Sequence, residues 1–391
     1  MNRNYTFLDL GNQPLANSFL SSSEFDNEYF YEAQFVFNCE SKLVSIKNMI
    51  SPEFIFNKSY KYYSSMSIPM IEHFKNASES LKKFDFSKVL EIGSNDGIFI
   101  QNFEAHEIVS VEPCNNFADI TRSMGYETYS DLWTYELSED IKKKHGEFDL
   151  IYSANCISHI YDLEDAFRSV KNILSRDGMF VFEDPSLLEI IKNCSYDQFY
   201  DEHSHYFSII ALDNMLENIG LSIVKIENLS VHGGSNRVYV SHDNFAVDES
   251  LLINVMNEEK AGLNEIDVYK KFAVRVQNSR ERLIQLLSEI KESNQRIVSI
   301  GATSKSTVLF NFCYIDPMLI EIVTDTTKDK CNLYMPGVHI PILNRNNVDI
   351  TDYDYAFIGA WNFKDYIISH EKEFVDRGGK FITHVPEVHV I

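Results

Sequence analysis

The chain of 391 residues is short of positive charge: 35 Lys and Arg stand against 58 Asp and Glu, a formal net charge of −23. A surface for nucleic acid or anionic membrane needs the opposite balance, so the composition argues against both. A pocket for an anionic small molecule needs only a few local donors and stays open. No run of about 18 apolar residues occurs, so no membrane span is expected. The opening MNRNYTFLDLGNQ has no apolar signal core. The six cysteines, at 39, 114, 156, 194, 313 and 331, include no CxxC pair. Reduced thiols in a cytoplasmic protein are the simplest reading. Internal repeats and low-complexity linkers are also missing.

What is present is an aromatic-rich chain, with 21 Tyr and 28 Phe in a composition 44% hydrophobic. At roughly 100–200 residues per domain, its length suggests two or three domains. Residues 1–70 are mixed, with strand-like FVFN and KLVSI, and residues 71–84 read as a helix. From Lys88 the pattern alternates. Strands are expected in KVLEIG (88–93), EIVSVE (107–112), FDLIYSAN (148–155) and GMFVFED (178–184). Helices are expected in IFIQNF, NFADITRSMG and LEDAFRSVKNILSR. Short apolar strands separated by helices predict a mainly parallel, doubly wound sheet, with LSIVKIEN and NRVYVSH at its antiparallel end. Residues 255–293 read as a connecting helix or helix pair. Alternation restarts in RIVSIGA (296–302), LIEIVTD (319–325), YAFIGAW (355–361) and KFITHVPEV (380–388), a second small α/β unit. The expected division is a small domain over 1–70, a ligand-binding α/β domain over 71–245, and a helical linker with an α/β domain over 246–391.

VLEIGSNDG (89–97) runs off a predicted strand into a predicted helix. Gly93 and Gly97 suit a tight turn and close backbone approach to a ligand, with Asn95 between them. Ligands of open α/β sheets bind at the carboxyl ends of strands. Nineteen residues after Gly93 comes Glu112, an acid placed to meet a ribose diol. A dinucleotide site would need G-x-G-x-x-G, and the middle glycine is missing. S-adenosyl-L-methionine carries no phosphate and tolerates the bulkier loop, and Glu91 before the turn fits methyltransferases. Asp131 follows a short strand, GYETYSD, and is expected at the adenine, and Asn155 ends the fourth strand and faces the same crevice, with ordinary turn or cap roles as the alternative for both.

Further motifs resemble the three-domain sugar C-methyltransferases of deoxysugar biosynthesis across nearly the whole chain. They are LGNQPLANSFL (10–20), YKYYSSMS (60–67), YDEHSHYFS (200–208), VHGGSNRVYV (231–240), GATSKS (301–306), PGVHIPI (336–342), AWNF (360–363) and VPEVHVI (385–391). The resemblance implies a class I methyltransferase fold, a Rossmann-like doubly wound sheet, between a small N-terminal domain and a C-terminal α/β domain. Members usually carry a four-cysteine zinc site near the N-terminus. Here Cys39 stands alone and Lys42 follows three residues on, so no zinc is expected. Packing by Phe19, Phe25, Tyr29, Phe30, Phe35 and Phe37 is expected to hold that domain instead. Asp201 departs from the first His of the family segment, while Tyr200, Glu202 and His203 are kept.

The activity implied is methylation of a nucleotide-linked keto-deoxysugar at the carbon beside its ketone, with S-adenosyl-L-homocysteine as product. His203 is the expected general base, with His205 as competitor. Glu202 orients an imidazole or binds a hydroxyl, and Tyr200 and Tyr62 donate to the developing enolate oxygen. Glu183 faces the sugar or caps its strand. Tyr206, His232 and Arg237 are expected at the substrate, although 232–237 also reads as a turn into an edge strand. Lys305, at a strand-to-helix turn, suits a diphosphate, with Asp325 and His339 at the same mouth; an ordinary α/β turn is the alternative. Two rival readings are an O- or N-methyltransferase on a sugar nucleotide, and a non-catalytic sugar-nucleotide-binding protein. Retention of VLEIGSNDG, Glu112 and the Tyr-x-Glu-His segment argues against the latter.

Overall fold

A computed structural model describes residues 4–58, 60–84, 86–105, 107–242 and 245–391. The N-terminal part is an antiparallel meander of β1 (Asn4–Pro14), β2 (Phe30–Asn38) and β3 (Val44–Ile46), followed by one turn of helix, α1 (Pro52–Ile55). Alternate side chains of β2 (Tyr31, Ala33, Phe35, Phe37) are buried, the period a one-sided sheet requires. Phe19, Phe35 and Phe37 join the core, but Tyr29 and Phe30 are exposed and Phe25 is half-buried, so packing rests on fewer aromatics than the sequence suggested.

The middle part carries α2 (Ile68–Leu81), β4 (Lys88–Ile92), β5 (Glu107–Val111), α3 (Asn115–Ser123), β6 (Glu127–Tyr129), α4 (Tyr135–His145), β7 (Phe148–Ala154), α5 (Leu163–Ile173) and β8 (Leu174–Pro185). After α6 (Leu187–Asn193) come β9 (His205–Tyr206), α7 (Ile209–Ile219), β10 (Ser222–Leu229) and β11 (Ser235–Ser241). The sheet order is β10-β11-β8-β7-β4-β5-β6, parallel from β6 to β8 with β11 antiparallel. This is the doubly wound sheet the sequence predicts, with β10 and β11 as its antiparallel end. Strands at its centre are apolar on both faces (Val89, Leu90, Ile92; Leu150, Ile151, Tyr152), because helices cover both. Strand order reverses beside β4, which opens a crevice beyond β4 and β7.

The predicted helix in IFIQNF is one 3-10 turn, Ile100–Asn102. Ile98, Phe99, Ile100 and Phe103 are all buried, leaving only Gln101 and Asn102 turned outward, too few for the solvent face of a longer helix. The amides of Gln101 and Asn102 bond back to the Ile98 carbonyl at 3.2 and 2.8 Å, competing with the helical ladder. β9 leaves the middle sheet and pairs with β3 (Val44 with Tyr206, Ser45 with His205). The Tyr-x-Glu-His segment is thereby knitted into the N-terminal sheet.

α8 (Glu249–Ala261) and the long α9 (Ile266–Glu292) lead to the last part. It contains β12 (Ile297–Ile300), α10 (Ser304–Phe312), β13 (Ile322–Asp325), β14 (Ile342–Asn344), β15 (Tyr355–Ile358), α11 (Lys364–His370), α12 (Lys372–Asp376), β16 (Lys380–Thr383) and β17 (His389–Val390). Its order is β14-β13-β12-β15-β16-β17, with β12 at the centre of a parallel sheet and β17 antiparallel at the edge. The rings of Phe7 from β1 and Tyr269 from α9 lie 5.1 Å apart, and Phe35 meets Phe199 at 4.9 Å, so one core joins the N-terminal sheet, the 196–206 segment and α9. Among the described residues, no helix is long and apolar enough to cross a membrane.

Candidate active site

A cavity of about 800 Å³ opens where the three parts meet. Gly93, Asn95, Glu112 and Asn155 line one side. Gly93 has φ +74°, and a Cβ there would stand 2.5 Å from Cys156 Sγ, so only glycine fits. Glu112 follows β5. Its Oε2 accepts the Asn95 N–H and its Oε1 the Cys114 N–H, both at 2.8 Å. Burial pushes its carboxyl up, and these two donors work against that rise. Across the loop, Asn95 Oδ1 accepts the Ser64 N–H at 3.0 Å, Asn95 Nδ2 donates to the Tyr62 carbonyl at 3.0 Å, and Asp96 accepts the Ser65 N–H at 3.1 Å. The aromatic segment 60–67 is thus strapped over the glycine loop.

Three of the residues expected at the cofactor lie off the cavity wall. Glu91 is buried beneath it, its carboxyl held well above the usual range by burial and by Glu112. Gly97 turns toward Thr121 of α3. Asp131 is exposed, its carboxylate accepting the N–H of Leu132, and the wall there is formed by Leu132 and Trp133.

Tyr62, Tyr200, Glu202 and His203 all line the cavity. Glu202 Oε1 accepts from Asn17 Nδ2 at 2.5 Å and Oε2 from the Tyr60 hydroxyl at 2.9 Å. Burial raises its carboxyl pKa. The His203 ring lies 4.4 Å from that of Tyr200 and 5.1 Å from that of His159. Burial, then the neighbouring His159, Lys305 and His232, hold His203 well below the ordinary imidazole range against a hydrogen bond with the Gln198 backbone, so it is neutral. Burial pushes the Tyr62 phenol up to about 12 and that of Tyr200 further, which keeps both protonated. His205 stands outside the cavity. Its Nδ1 meets Ser45 Oγ at 2.9 Å and its Nε2 the Tyr161 carbonyl at 3.1 Å, so both ring nitrogens are engaged.

His232, Lys305 and Asp325 line the far side. His232 has φ +55°, a buried Nε2 without a partner, and a pKa lowered to about 3 by burial. Asp325 accepts the N–H groups of Ala302 at 2.8 Å and Thr327 at 2.7 Å. Four expected substrate residues are placed elsewhere. Glu183 is saturated by Tyr152 (2.6 Å), Arg237 (2.8 Å) and His73 (2.5 Å). Burial works against its charge, but those partners hold it at about 2. Arg237 spans Glu183 and Glu227, a buried ionic knot behind the wall. Tyr206 packs into the N-terminal core, where its hydroxyl accepts the Tyr200 N–H at 3.1 Å. His339 pairs with Glu28 at 2.8 Å and stacks on Phe25 at 3.7 Å, at the seam of the first and last parts.

Sequence reasoning missed His159, Lys330, Asn17 and Tyr60, all on the cavity wall. His159 has a buried, unpartnered Nε2 and a pKa lowered to about 4 by burial. Its signal was its place, four residues after Asn155 at the same strand end. Lys330 is buried, its ammonium donating to the Ala302 carbonyl at 2.8 Å and lying 4.7 Å from the Phe19 ring.

Comparison with known proteins matches residues 70–226 to a family model described as a methyltransferase domain. Residues 230–386 match one described as a C-methyltransferase C-terminal domain, and residues 2–56 one described as a putative zinc binding domain. The chain is 30% identical to C-methyltransferase NovU of Streptomyces niveus over 98% of its own length and 93% of that protein. Among solved structures, an S-adenosylmethionine-dependent methyltransferase from Clostridium acetobutylicum is 15% identical, covering 44% of this chain and 92% of that one with a TM-score of 0.35. One from Thermotoga maritima described as a possible histamine N-methyltransferase is 18% identical, covering 44% and 91%, also with a TM-score of 0.35. The zinc-domain match does not bring the ligands with it. Cys39 is the one cysteine in residues 2–56, and among the described residues no three His, Cys, Asp or Glu side chains gather as a metal site. These residues do not fit a closed tetrahedral zinc centre. On its near-complete match to a curated relative and on the domain models that tile it, the chain is a methyltransferase and belongs to the C-methyltransferase family.

Proposed function

We propose that the enzyme transfers a methyl group from S-adenosyl-L-methionine to the carbon beside the ketone of a nucleotide-linked keto-deoxysugar. The carrying observation is that one cavity joins the Gly93–Asn95–Glu112 loop, the uncharged cluster of Tyr62, Tyr200, His159 and His203, and the cationic side of Lys305 and Lys330. S-adenosyl-L-methionine, when bound, supplies an electrophilic methyl group and leaves as S-adenosyl-L-homocysteine. Glu112 holds the ribose diol and Asn155 meets the same ligand.

His203 takes the proton from the carbon beside the ketone, and the electron pair of that C–H bond moves toward the ketone oxygen. The protonated phenols of Tyr62 and Tyr200 donate to that oxygen as charge builds on it. Glu202, fixed by Asn17 and Tyr60, holds a sugar hydroxyl. With the carbon nucleophile held at the wall of Tyr62, Tyr200 and His203, orientation would supply much of the rate of its methylation. Burial, then His159, weaken His203 as a base, and so does the positive field of Lys305. A diphosphate beside Lys305 cancels that field, so the base strengthens when substrate is seated.

Solvent deuterium exchange at the carbon beside the ketone, followed by mass spectrometry with S-adenosyl-L-homocysteine present, tests the reading. Wild type is expected to exchange and His203→Asn to lose exchange while still binding S-adenosyl-L-homocysteine. A product methylated on oxygen or nitrogen would overturn it.

A further inference from the structure

We infer that Asp197 is a positioning residue whose carboxylate, anchored in the joint between the middle and last parts by Trp361 and His384, keeps the Lys305 ammonium charged at the cavity wall. It rests on the nucleotide-linked substrate proposed above, since Lys305 matters through the diphosphate it meets.

Asp197 sits on the 3-10 turn Tyr196–Gln198, just before the catalytic segment, and is fully buried. Its Oδ2 accepts the Trp361 indole N–H at 2.6 Å and stands 3.2 Å from His384 Nε2, while its Oδ1 has no partner. Lys305 Nζ lies 5.8 Å from the centre of the same Trp361 ring. The indole therefore holds the carboxylate at its edge and the ammonium over its face. Trp361 also seals the corner that carries His232: a Cβ on Gly233 would come 2.2 Å from its ring. The joint thus links Lys305 on α10, the His232 corner and the catalytic turn.

A buried ammonium without an opposite charge sheds its proton. Burial depresses Lys305, and Asp197 opposes that loss. The other titratable groups do not serve. His203 and His232, which also face Lys305, are kept neutral by burial. Around Asp197 stand His384, Tyr196 and Cys194; burial raises the last two, so neither carries charge at neutral pH. Asp197 is the anion this cation depends on.

The test is calorimetry on the full-length protein with dTDP, UDP and GDP at a series of pH values from neutral upward, since a lysine depressed by burial loses its charge as pH rises. The reading is the ratio of variant to wild-type Kd at each pH. For Asp197→Asn, whose amide oxygen still accepts from Trp361, the ratio is expected to climb by about tenfold across that range. Asp197→Asn/Lys305→Arg is expected to be flat, because a guanidinium stays charged without help. Unchanged S-adenosyl-L-homocysteine affinity reports an intact fold. Should Asp197→Asn misfold, Trp361→Phe decides: it keeps a ring beneath Lys305 but removes the N–H that fixes the carboxylate, so a climbing ratio, smaller than that of Asp197→Asn, is expected and a flat one overturns the inference. A flat ratio for Asp197→Asn, or no recovery in the double variant, overturns it too. Wild type that binds none of the three nucleotides overturns the substrate reading and this inference together.

Discussion

Gly93 follows β4 and Gly301 follows β12, and each donates its N–H at 2.8 Å to a carbonyl of the neighbouring strand, Val111 in the first case and Thr324 in the second. Both glycines have positive φ, +74° and +100°. At the end of that neighbouring strand an acid closes the turn. Glu112 accepts from Asn95 and Cys114, and Asp325 accepts from Ala302 and Thr327. From there the regions diverge. Thr303 caps a full helix, its hydroxyl accepting the Ser306 N–H at 3.0 Å, and Lys305 and Lys330 stand beside it. After Gly93 the chain stays irregular, and neither 93–97 nor 112–116 holds a lysine or arginine. One backbone plan thus presents a helix amino end with cations in one place and a strapped loop without lysine or arginine in the other. Glycine and acid spacing set the shape of such a site, while neighbouring charge selects the ligand.

The sharpest break of this comparison is chemical. His203→Asn is expected to cut turnover by about 10²–10⁴-fold with little change in the affinity of either ligand, the range a general base contributes. Single-turnover methylation reads it. Equal loss in nucleotide affinity would mean that His203 serves the cation-rich region as well. Next come the two acids. Glu112→Ala is expected to weaken S-adenosyl-L-homocysteine by about 10–100-fold and leave dTDP or UDP unchanged, with Asp325→Ala giving the converse, since a hydrogen bond to a charged group contributes about 1.5–3 kcal/mol. Calorimetry with both ligands on both variants decides. If either variant weakens both ligands alike, the two sites are one.

The glycines differ in the room around them. A Cβ on Gly93 meets Cys156 Sγ at 2.5 Å, whereas one on Gly301 meets Ala360 Cβ at 3.1 Å. Each substitution carries the left-handed backbone cost of about 1–2 kcal/mol. Gly93→Ala adds a clash, so its melting point should fall further than that of Gly301→Ala. Cys156→Gly on the Gly93→Ala background is expected to recover the difference and not the shared backbone cost.

The sheets, the glycine loops and the Tyr200–His203 segment were legible because their signals are local: strand runs, a glycine and an acid nineteen residues apart, a dense polar-aromatic stretch. Partnerships across the chain were not. Asn17 reaches Glu202 over 185 residues and Tyr60 over 142, and nothing in spacing brings them together. Strand parity was a second blind spot. Glu183 and Asp184 point to opposite faces of β8, and composition cannot say which face meets the cavity; Glu183 went to the ionic knot with Arg237. The zinc-type N-terminal part was legible as a family segment, but its hold on the molecule lies in rings from β1, β2, the 196–206 segment and α9, distant in sequence.

Two buried groups beside the first region also have a signature in pH. His159 is lowered to about 4 by burial, so the unfolded chain takes its proton near 6.5 while the folded chain refuses it. Its contribution to stability is present above about 6.5 and is lost as pH falls toward 4, by about 1.4 kcal/mol per pH unit. Asp184, which accepts from Ser158 beside it at 2.6 Å, is raised to about 7 by burial. Its sign is opposite: its contribution is present below about 4 and is lost as pH rises toward 7. The two offset each other between about pH 4 and 6.5 in the wild type. Single variants therefore expose what the parent conceals. In urea unfolding, His159→Asn should gain on wild type as pH drops from about 7.5 to 5, and Asp184→Asn should lose on it over the same span. If His159→Asn follows the wild type at every pH, the imidazole is solvated, and the uncharged wall that separates the two regions is not there.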